Sequence, residues 1–171
     1  LENNRLVPTA METRAAIARY RPAEGKLTVE MTSQNPHLHQ EWLAETLGLR
    51  PNDIRVRAPD VGGGFGSKIH HYPEEALVSF AAMDLERPVK WQATRTEGFA
   101  GTSHGRDHRS TAAIAFDEEG HVTGLRADTT VGVGGYVSSA QASVAAPDYA
   151  ELLCGQYDIP AFYADVTGAF T

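Results

Sequence analysis

The chain has 171 residues, the length of one ordinary domain, and 42% of them are hydrophobic, which supports a packed core and argues against disorder. The formal net charge of -7 gives no general electrostatic reason to bind nucleic acid or an anionic membrane. Cys154 is the single cysteine, which excludes an internal disulfide and a thiolate metal cluster. No apolar run approaches the roughly 18 residues of a membrane-spanning helix. Because Leu1–Arg14 also lacks the apolar core of a signal peptide, we expect a cytoplasmic protein.

Hydrophobic periodicity divides the chain into short strands and helices. Leu27, Val29 and Met31 alternate with polar residues, which is the period of a half-buried strand. The predicted strands, in chain order, cover residues 15–20, 26–32, 54–57, 89–94, 110–116 and 121–130. Residues 131–150 are rich in Gly, Ser and Ala, and no element is predicted there. Strands and helices mix without strict alternation, which predicts an α+β fold, a mixed sheet with helices.

Two helices are predicted between the strands. The first covers residues 36–47, since Pro36 suits a first turn, Asn35 can cap it and Gly48 can end it. Its expected buried face carries Leu38, Trp42 and Leu43. The second helix covers residues 73–85. Its apolar residues at helical spacing are Ala76, Leu77, Phe80 and Ala81.

The strongest local feature is the glycine-rich segment Asp60–Lys68, D-V-G-G-G-F-G-S-K. Its glycines let the backbone take positive φ and approach a ligand, and successive N–H groups in such a loop can converge on an anion or an oxo group. Phe65 indicates a fixed, packed loop. The phosphate loop of nucleotide hydrolases needs Lys followed by Ser or Thr, whereas here Ser67 precedes Lys68. From glycine content alone, a plain strand-to-helix connection is an equally good interpretation.

A second feature, T-S-Q-N-P over residues 32–36, lies between a predicted strand and a predicted helix. Gln34 at the mouth of a helix N-terminus can present an amide donor next to backbone N–H groups. The alternative is that Gln34 is an exposed loop residue and Asn35 only a helix cap, which is the common use of asparagine there.

In combination, S-Q-N-P, an amphipathic helix, a short strand and V-G-G-G-F-G-S-K resemble the large subunit of the xanthine dehydrogenase, aldehyde oxidase and carbon monoxide dehydrogenase family. Gln34 lies 31 positions before Phe65, which fits the spacing in that family. The segments 6–14 and 95–97 resemble the family as well, so the likeness covers nearly the whole chain. Ile69 stands where relatives acting on purines and aldehydes often carry glutamate, which resembles the carbon monoxide dehydrogenase branch more closely.

The resemblance implies a pterin-bound molybdenum with oxo and sulfido ligands, and a role for five residues. The side-chain amide of Gln34 would point at an oxo ligand, and the backbone amides of Phe65 and Gly66 would face the metal's oxygen or the pterin. Gly63 and Gly64 would permit that approach. None of them would ligate the metal, because the pterin dithiolene holds it. The family's catalytic glutamate and its substrate loop belong to segments downstream, so no catalytic residue is assigned.

The resemblance further implies that residues 1–171 are a single domain, part of the first molybdenum-cofactor-binding domain of a longer large subunit. The intact subunit would be a molybdenum-dependent oxidoreductase like carbon monoxide dehydrogenase, which oxidises a small substrate with water-derived oxygen. Its molybdopterin would be molybdenum cytosine dinucleotide. FAD and [2Fe-2S] clusters are expected on partners, a flavin-binding medium subunit and an iron–sulfur small subunit. The alternatives are an aldehyde or N-heterocycle hydroxylase of the same family and a non-catalytic anion-binding or structural module; this fragment alone is expected to be inactive.

The histidines carry no chemistry in this interpretation. His37 and His39 flank the start of the first helix, and His70 and His71 follow the glycine-rich loop. Because no acidic or cysteine partner is spaced with them for a metal, we expect ordinary surface or partly buried side chains.

Overall fold

The computed structural model describes residues 1–137 and 148–171. Its elements, in chain order, are β1 (Glu2–Asn3), β2 (Ala15–Arg21), β3 (Lys26–Met31), α1 (Pro36–Leu47), β4 (Ile54–Arg57), α2 (Pro73–Asp84), β5 (Val89–Gln92), α3 (Arg95–Gly101), β6 (His108–Phe116), β7 (Val122–Gly134) and β8 (Phe162–Phe170). Helices combined with sheets that contain both parallel and antiparallel pairs confirm the predicted α+β class.

The chain divides into two compact units, one of Val7–His104 and one of Leu1–Leu6 with Gly105–Thr171. In the first unit the strand order is β4-β3-β2-β5. The β3–β4 pair is parallel, with α1 in the connection between them, and the other two pairs are antiparallel. The interpretation of residues 1–171 as a single domain of a longer subunit stays a prediction.

The core of the first unit lies between the sheet and the helices. Leu27, Val29 and Met31 of β3 are buried, as their alternation with polar residues predicts. The further buried core residues are Ala16, Ala18, Leu43, Ala44, Ile54, Val78 and Ala82. This burial fixes which face of β3 turns inward.

Helix α1 has the predicted bounds, but its first turn is held differently from the prediction. Gly48 ends the helix in the left-handed region with φ +66, as expected of glycine there. Asn35 makes no side-chain capping bond. Its N–H instead donates to Oγ of Ser33 at 3.0 Å, because that hydroxyl already faces the helix start. Leu43 is fully buried, as predicted. His39 is buried as well, although the predicted buried face contained only apolar residues.

Helix α2 has the predicted type, but two of its four apolar residues at helical spacing face away from the core. Leu77 and Phe80 are 63% and 59% exposed. The helix instead buries Glu75, Val78, Ser79 and Ala82. The burial of Glu75 is explained by Arg14, because a buried guanidinium requires a charged partner and Glu75 lies 3.0 Å from it. Of the helices in the described part of the chain, none has the length and apolar content to cross a membrane.

The second unit contains a sheet with the strand order β1-β6-β7-β8. Strands β6 and β7 form an antiparallel hairpin, closed by the turn at Asp117–Gly120, where Gly120 takes φ +88. Strand β7 continues to Gly134, four residues beyond the predicted end, and β8 pairs with it in parallel. Residues 138–147 of the segment without a predicted element lie outside the described residues.

Candidate functional site

Gln34 and the glycine-rich loop lie at one edge of the first unit's sheet. Gln34 follows the carboxyl end of β3, and Val61–Ser67 follows the carboxyl end of β4. Since β3 and β4 are parallel neighbours, their carboxyl ends meet at the same edge. Ligands of open α/β sheets bind outside these ends. The parallel pairing therefore brings together two features that the sequence shows separately.

The Gln34 carboxamide is bonded to the glycine-rich loop. Its Oε1 accepts the N–H of Gly66 at 3.0 Å and the N–H of Lys68 at 3.3 Å. The main-chain N–H of Gln34 donates to the Lys68 carbonyl at 3.1 Å. Because two N–H donors meet at one carboxamide atom, that atom is the oxygen, and the amino group is turned away from them. Within residues 1–137 and 148–171, Nε2 of Gln34 has no hydrogen-bond partner.

The loop reaches the carboxamide through an unusual backbone. Gly63, Phe65 and Gly66 have φ of +91, +52 and +90, a region that disfavours side chains. Gly64 is buried, and a Cβ there would collide with the Gln34 carboxamide. Phe65 is 74% exposed, so the expected fixed loop is not held by burial of its ring. Hydrogen bonds fix the loop instead, among them the Ser67 hydroxyl donating to the Gly64 carbonyl at 2.9 Å.

The loop presents main-chain donors that nothing in the described residues uses. The N–H groups of Gly64 and Phe65 have no acceptor there, whereas the N–H of Gly66 is engaged by Gln34. With the Gln34 amino group, this leaves three neutral donors in and beside one short loop. Such donors can stabilise an oxygen acceptor without protonating it. The Gly66 contact to cofactor that the resemblance implies stays a prediction, and the structure shows this N–H holding Gln34.

A buried histidine ties the Gln34 segment to the end of the loop. His39 is 1% exposed, with Nε2 3.0 Å from the His70 carbonyl and Nδ1 2.7 Å from Oγ of Ser33. A carbonyl only accepts, so Nε2 carries the proton and Nδ1 accepts from the Ser33 hydroxyl. Burial lowers the pKa of His39, outweighing the opposing hydrogen bonds with the backbone of His70 and Asn35. His39 is therefore neutral at pH 7, and Ser33 next to Gln34 is fixed.

An ion pair that the sequence analysis did not predict, between Glu12 and Lys68, supports the loop. The side chain of Lys68 is 1% exposed, and its Nζ lies 3.1 Å from Oε2 of Glu12. The same oxygen accepts the N–H of Gly62 at 2.8 Å. Both residues occur in segments that carry the family resemblance. The 56 positions between them gave no local signal that they pair.

Unpartnered neutral donors at the carboxyl edge of a β-α-β unit are typical of ligand-binding domains with an α/β component. Residues 1–171 match the family described as "Molybdopterin cofactor-binding domain", and the chain belongs to that family. This confirms the resemblance to molybdenum hydroxylases that S-Q-N-P and V-G-G-G-F-G-S-K carry.

The chain is similar in sequence to large subunits with different names, and similar in fold to a solved structure. The carbon monoxide dehydrogenase large chain of Hydrogenophaga pseudoflava is 32% identical over 167 residues, covering 98% of this chain and 21% of the relative. The nicotine 6-hydroxylase large subunit of Paenarthrobacter nicotinovorans is 36% identical over 170 residues, covering 98% and 21%. Quinoline 2-oxidoreductase from Pseudomonas putida 86 superposes with a TM-score of 0.92 at 31% identity, covering 99% of this chain and 22% of that one. The chain thus spans about a fifth of the length of these relatives.

Proposed function

We propose that Gln34, Gly63, Gly64, Phe65 and Gly66 form part of the binding site for the molybdenum cofactor of a hydroxylase large subunit. The proposal rests on the different hydrogen bonding of the two polar atoms in the Gln34 carboxamide. Its oxygen accepts the N–H groups of Gly66 and Lys68, and its amino group has no partner among the described residues. A free donor held this firmly is preorganised for an acceptor, because the loop has already restricted its rotation.

The donor set fits an oxygen-bearing, electron-rich group. When bound, the cofactor supplies a molybdenum centre that accepts two electrons from the substrate. Gln34 would donate its amide N–H to an oxygen of the cofactor, and Phe65 would donate its main-chain N–H. An amide does not give up its proton near neutral pH, so these groups would orient and stabilise the cofactor without changing its protonation. Gly63 and Gly64 would allow the close approach, since a Cβ at Gly64 would displace the carboxamide.

We propose for the intact protein an oxidation like that of carbon monoxide dehydrogenase, with oxygen taken from water. The 32% identity to the large chain of that enzyme supports it, as does Ile69 after the loop. Hydroxylation of an N-heterocycle is the second candidate, supported by 36% identity to nicotine 6-hydroxylase and by the quinoline 2-oxidoreductase fold. Assaying the purified complex with carbon monoxide, an aldehyde, nicotine and quinoline separates the two. Turnover of a heterocycle without carbon monoxide oxidation would reject the first.

The remaining parts of the proposal concern the other components of the enzyme. The cofactor is proposed to be molybdenum cytosine dinucleotide, and electrons are proposed to pass to [2Fe-2S] clusters and FAD on partner subunits. The relatives' names, "large chain" and "large subunit", support the presence of partner chains. The proposed location is the cytoplasm. Elemental analysis for molybdenum and iron, with nucleotide analysis of the released pterin, tests the statements about the cofactor and the iron–sulfur clusters.

The site itself is tested by Gln34→Glu in the full-length subunit. A glutamate keeps an oxygen for the N–H groups of Gly66 and Lys68 but replaces the free donor with a second acceptor. We expect molybdenum content to fall about tenfold or more. The control is Gln92→Glu, which introduces the same charge at an exposed position of β5. Equal molybdenum content in both variants would favour a structural module that does not bind cofactor through Gln34.

A further inference from the structure

We infer that Glu12 and Lys68 form a clasp that closes the glycine-rich loop and positions the Gln34 carboxamide. In the part of the chain that the structure describes, neither side chain is hydrogen-bonded to the free donors of the site, so both act as positioning residues. The inference rests on the proposed function of Gln34, and it adds two charged residues to the support of that function. We call the pair the Glu12–Lys68 clasp.

The clasp joins the two ends of the loop through one carboxylate oxygen. Oε2 of Glu12 accepts the N–H of Gly62 at 2.8 Å and the ammonium of Lys68 at 3.1 Å. The N–H of Glu12 also donates to the Gly62 carbonyl at 3.1 Å. A Cβ on Gly62 would lie 2.6 Å from Cβ of Glu12, so only glycine permits this approach. The loop between Gly62 and Lys68 is therefore fixed at both ends by the same side chain.

Lys68 connects the clasp to Gln34. Its side chain reaches Glu12, while its N–H donates to Oε1 of Gln34 at 3.3 Å and its carbonyl accepts the N–H of Gln34 at 3.1 Å. Both main-chain groups of Lys68 thus bond to one residue, and its ammonium bonds to another. A shift of Lys68 would move the carboxamide, whereas a shift of Glu12 would release the start of the loop.

Charge explains why these two residue types occur here. A buried ammonium is costly unless a charged partner accepts its hydrogen bond, and the Lys68 side chain is only 1% exposed. Burial alone would raise the pKa of Glu12, but the hydrogen bond from Gly62 and the ammonium of Lys68 outweigh it and lower that pKa. Glu12 is therefore ionised at neutral pH. Because Lys68 is turned inward to Glu12, the free donors identified at the loop remain neutral amides.

Arg95 holds the segment that carries Glu12. Its guanidinium donates to the carbonyls of Ala10 and Met11, each at 2.7 Å. Arg95 is the first residue of α3, which begins with a capping box between Thr94 and Glu97. The capped helix therefore holds Arg95, and Arg95 holds the segment of Glu12. Glu12 in turn bonds to Lys68, which bonds to Gln34.

The test compares Lys68→Met with Val29→Ala in the full-length complex. Methionine has nearly the length of lysine without its charge, and Val29 is a fully buried core residue of β3 that serves as a control for lost stability. We expect Lys68→Met to speed hydrogen exchange of the 62–68 amides about tenfold or more and to lower molybdenum content. Val29→Ala, at a similar loss of melting temperature, should do neither. Equal exchange and molybdenum content in the two variants would overturn the inference.

Two further variants separate the loss of the clasp from the loss of the cofactor. Gln34→Glu should lose the cofactor while the Glu12–Lys68 clasp stays intact. Hydrogen exchange of the 62–68 amides in Gln34→Glu therefore measures the effect of cofactor loss alone. In Lys68→Met these amides should exchange faster than in Gln34→Glu. Glu12→Gln replaces Lys68→Met if that variant does not fold, since glutamine keeps an acceptor for Gly62 and removes only the charge. Faster loop exchange in this variant, with unchanged molybdenum content in Gln34→Glu, would support the clasp while rejecting the proposed cofactor contact.

The role of charge in the clasp has its own test in Lys68→Arg. This substitution keeps a positive charge opposite Glu12, so the 62–68 amides should exchange more slowly than in Lys68→Met. Exchange as fast as in Lys68→Met would contradict the role of charge.

Discussion

Arg14 and Glu75 form an ion pair of 3.0 Å in which the two side chains are 3% and 2% exposed. Glu74 shares the same guanidinium at 3.0 Å. The guanidinium also lies 3.8 Å from the centroid of the Tyr72 ring, whose hydroxyl donates to the Ser67 carbonyl at 2.7 Å. A buried cation at the start of β2 thus faces two carboxylates of α2 and touches an aromatic residue bonded to the glycine-rich loop.

The first prediction is that stability falls with rising pH because of Glu75. Burial, reinforced by Glu74, raises the pKa of Glu75 from 4.5 to about 7 despite the attraction of Arg14. Between these two values the folded state binds more protons than the unfolded state, so the free energy of unfolding decreases as pH rises. Glu75→Gln removes this contribution. Urea unfolding at pH 5 and pH 7 should show a smaller loss in this variant than in the wild-type protein.

Glu41→Gln is the control for that measurement, because Glu41 is an exposed residue of α1. It should keep the full pH dependence of the wild-type protein. If Glu75→Gln and Glu41→Gln lose equal stability between pH 5 and pH 7, the titration of Glu75 does not cause the effect.

The second prediction concerns the Ser33 hydroxyl. Ser33→Ala removes the donor to Nδ1 of His39 and the acceptor for the N–H of Asn35. Leaving buried polar groups without a partner costs about 1 to 3 kcal/mol in the free energy of unfolding. Chemical denaturation measures it. Thr96→Ala, at an exposed position of α3, should change stability by less than about 0.5 kcal/mol. A Ser33→Ala protein as stable as Thr96→Ala would show that His39 does not depend on this hydroxyl.

The third prediction concerns the capping box of α3. Oγ1 of Thr94 accepts the N–H of Glu97 at 3.2 Å, and Oε2 of Glu97 accepts the N–H of Thr94 at 2.6 Å. Thr94→Ala should cost about 0.5 to 2 kcal/mol, whereas Thr94→Ser keeps the hydroxyl and should stay near the wild-type value. Thermal unfolding compares the two. Equal melting temperatures would mean that the box does not stabilise the helix.

Local signals were enough to predict α1 and to identify the two segments of the candidate site. Pro36 and Gly48 mark the two ends of α1 in the local sequence, and the glycine-rich loop and Gln34 are each recognisable in a few neighbouring residues. Their contact through the N–H of Gly66 depends on the parallel pairing of β3 with β4, which brings two strand ends to one edge.

Long-range pairings account for what the sequence did not reveal. Glu75 of α2 is buried against Arg14, which lies 61 positions earlier, and apolar periodicity contains no information about that partner. The same holds for Glu12 and Lys68, which are 56 positions apart. Strand β8 was not predicted, because its parallel pairing with β7 requires a distant segment rather than an adjoining turn.

The most direct test of the central claim is molybdenum content in the Gly64→Ala form of the full-length subunit. A methyl group there would collide with the Gln34 carboxamide and push it from its place in the loop. Gly101→Ala is the matched control, because a Cβ at Gly101 meets nothing within 4 Å. We predict that molybdenum per subunit falls about tenfold or more in Gly64→Ala and stays at the wild-type level in Gly101→Ala. Equal molybdenum in the two variants, with both proteins folded, would contradict the account.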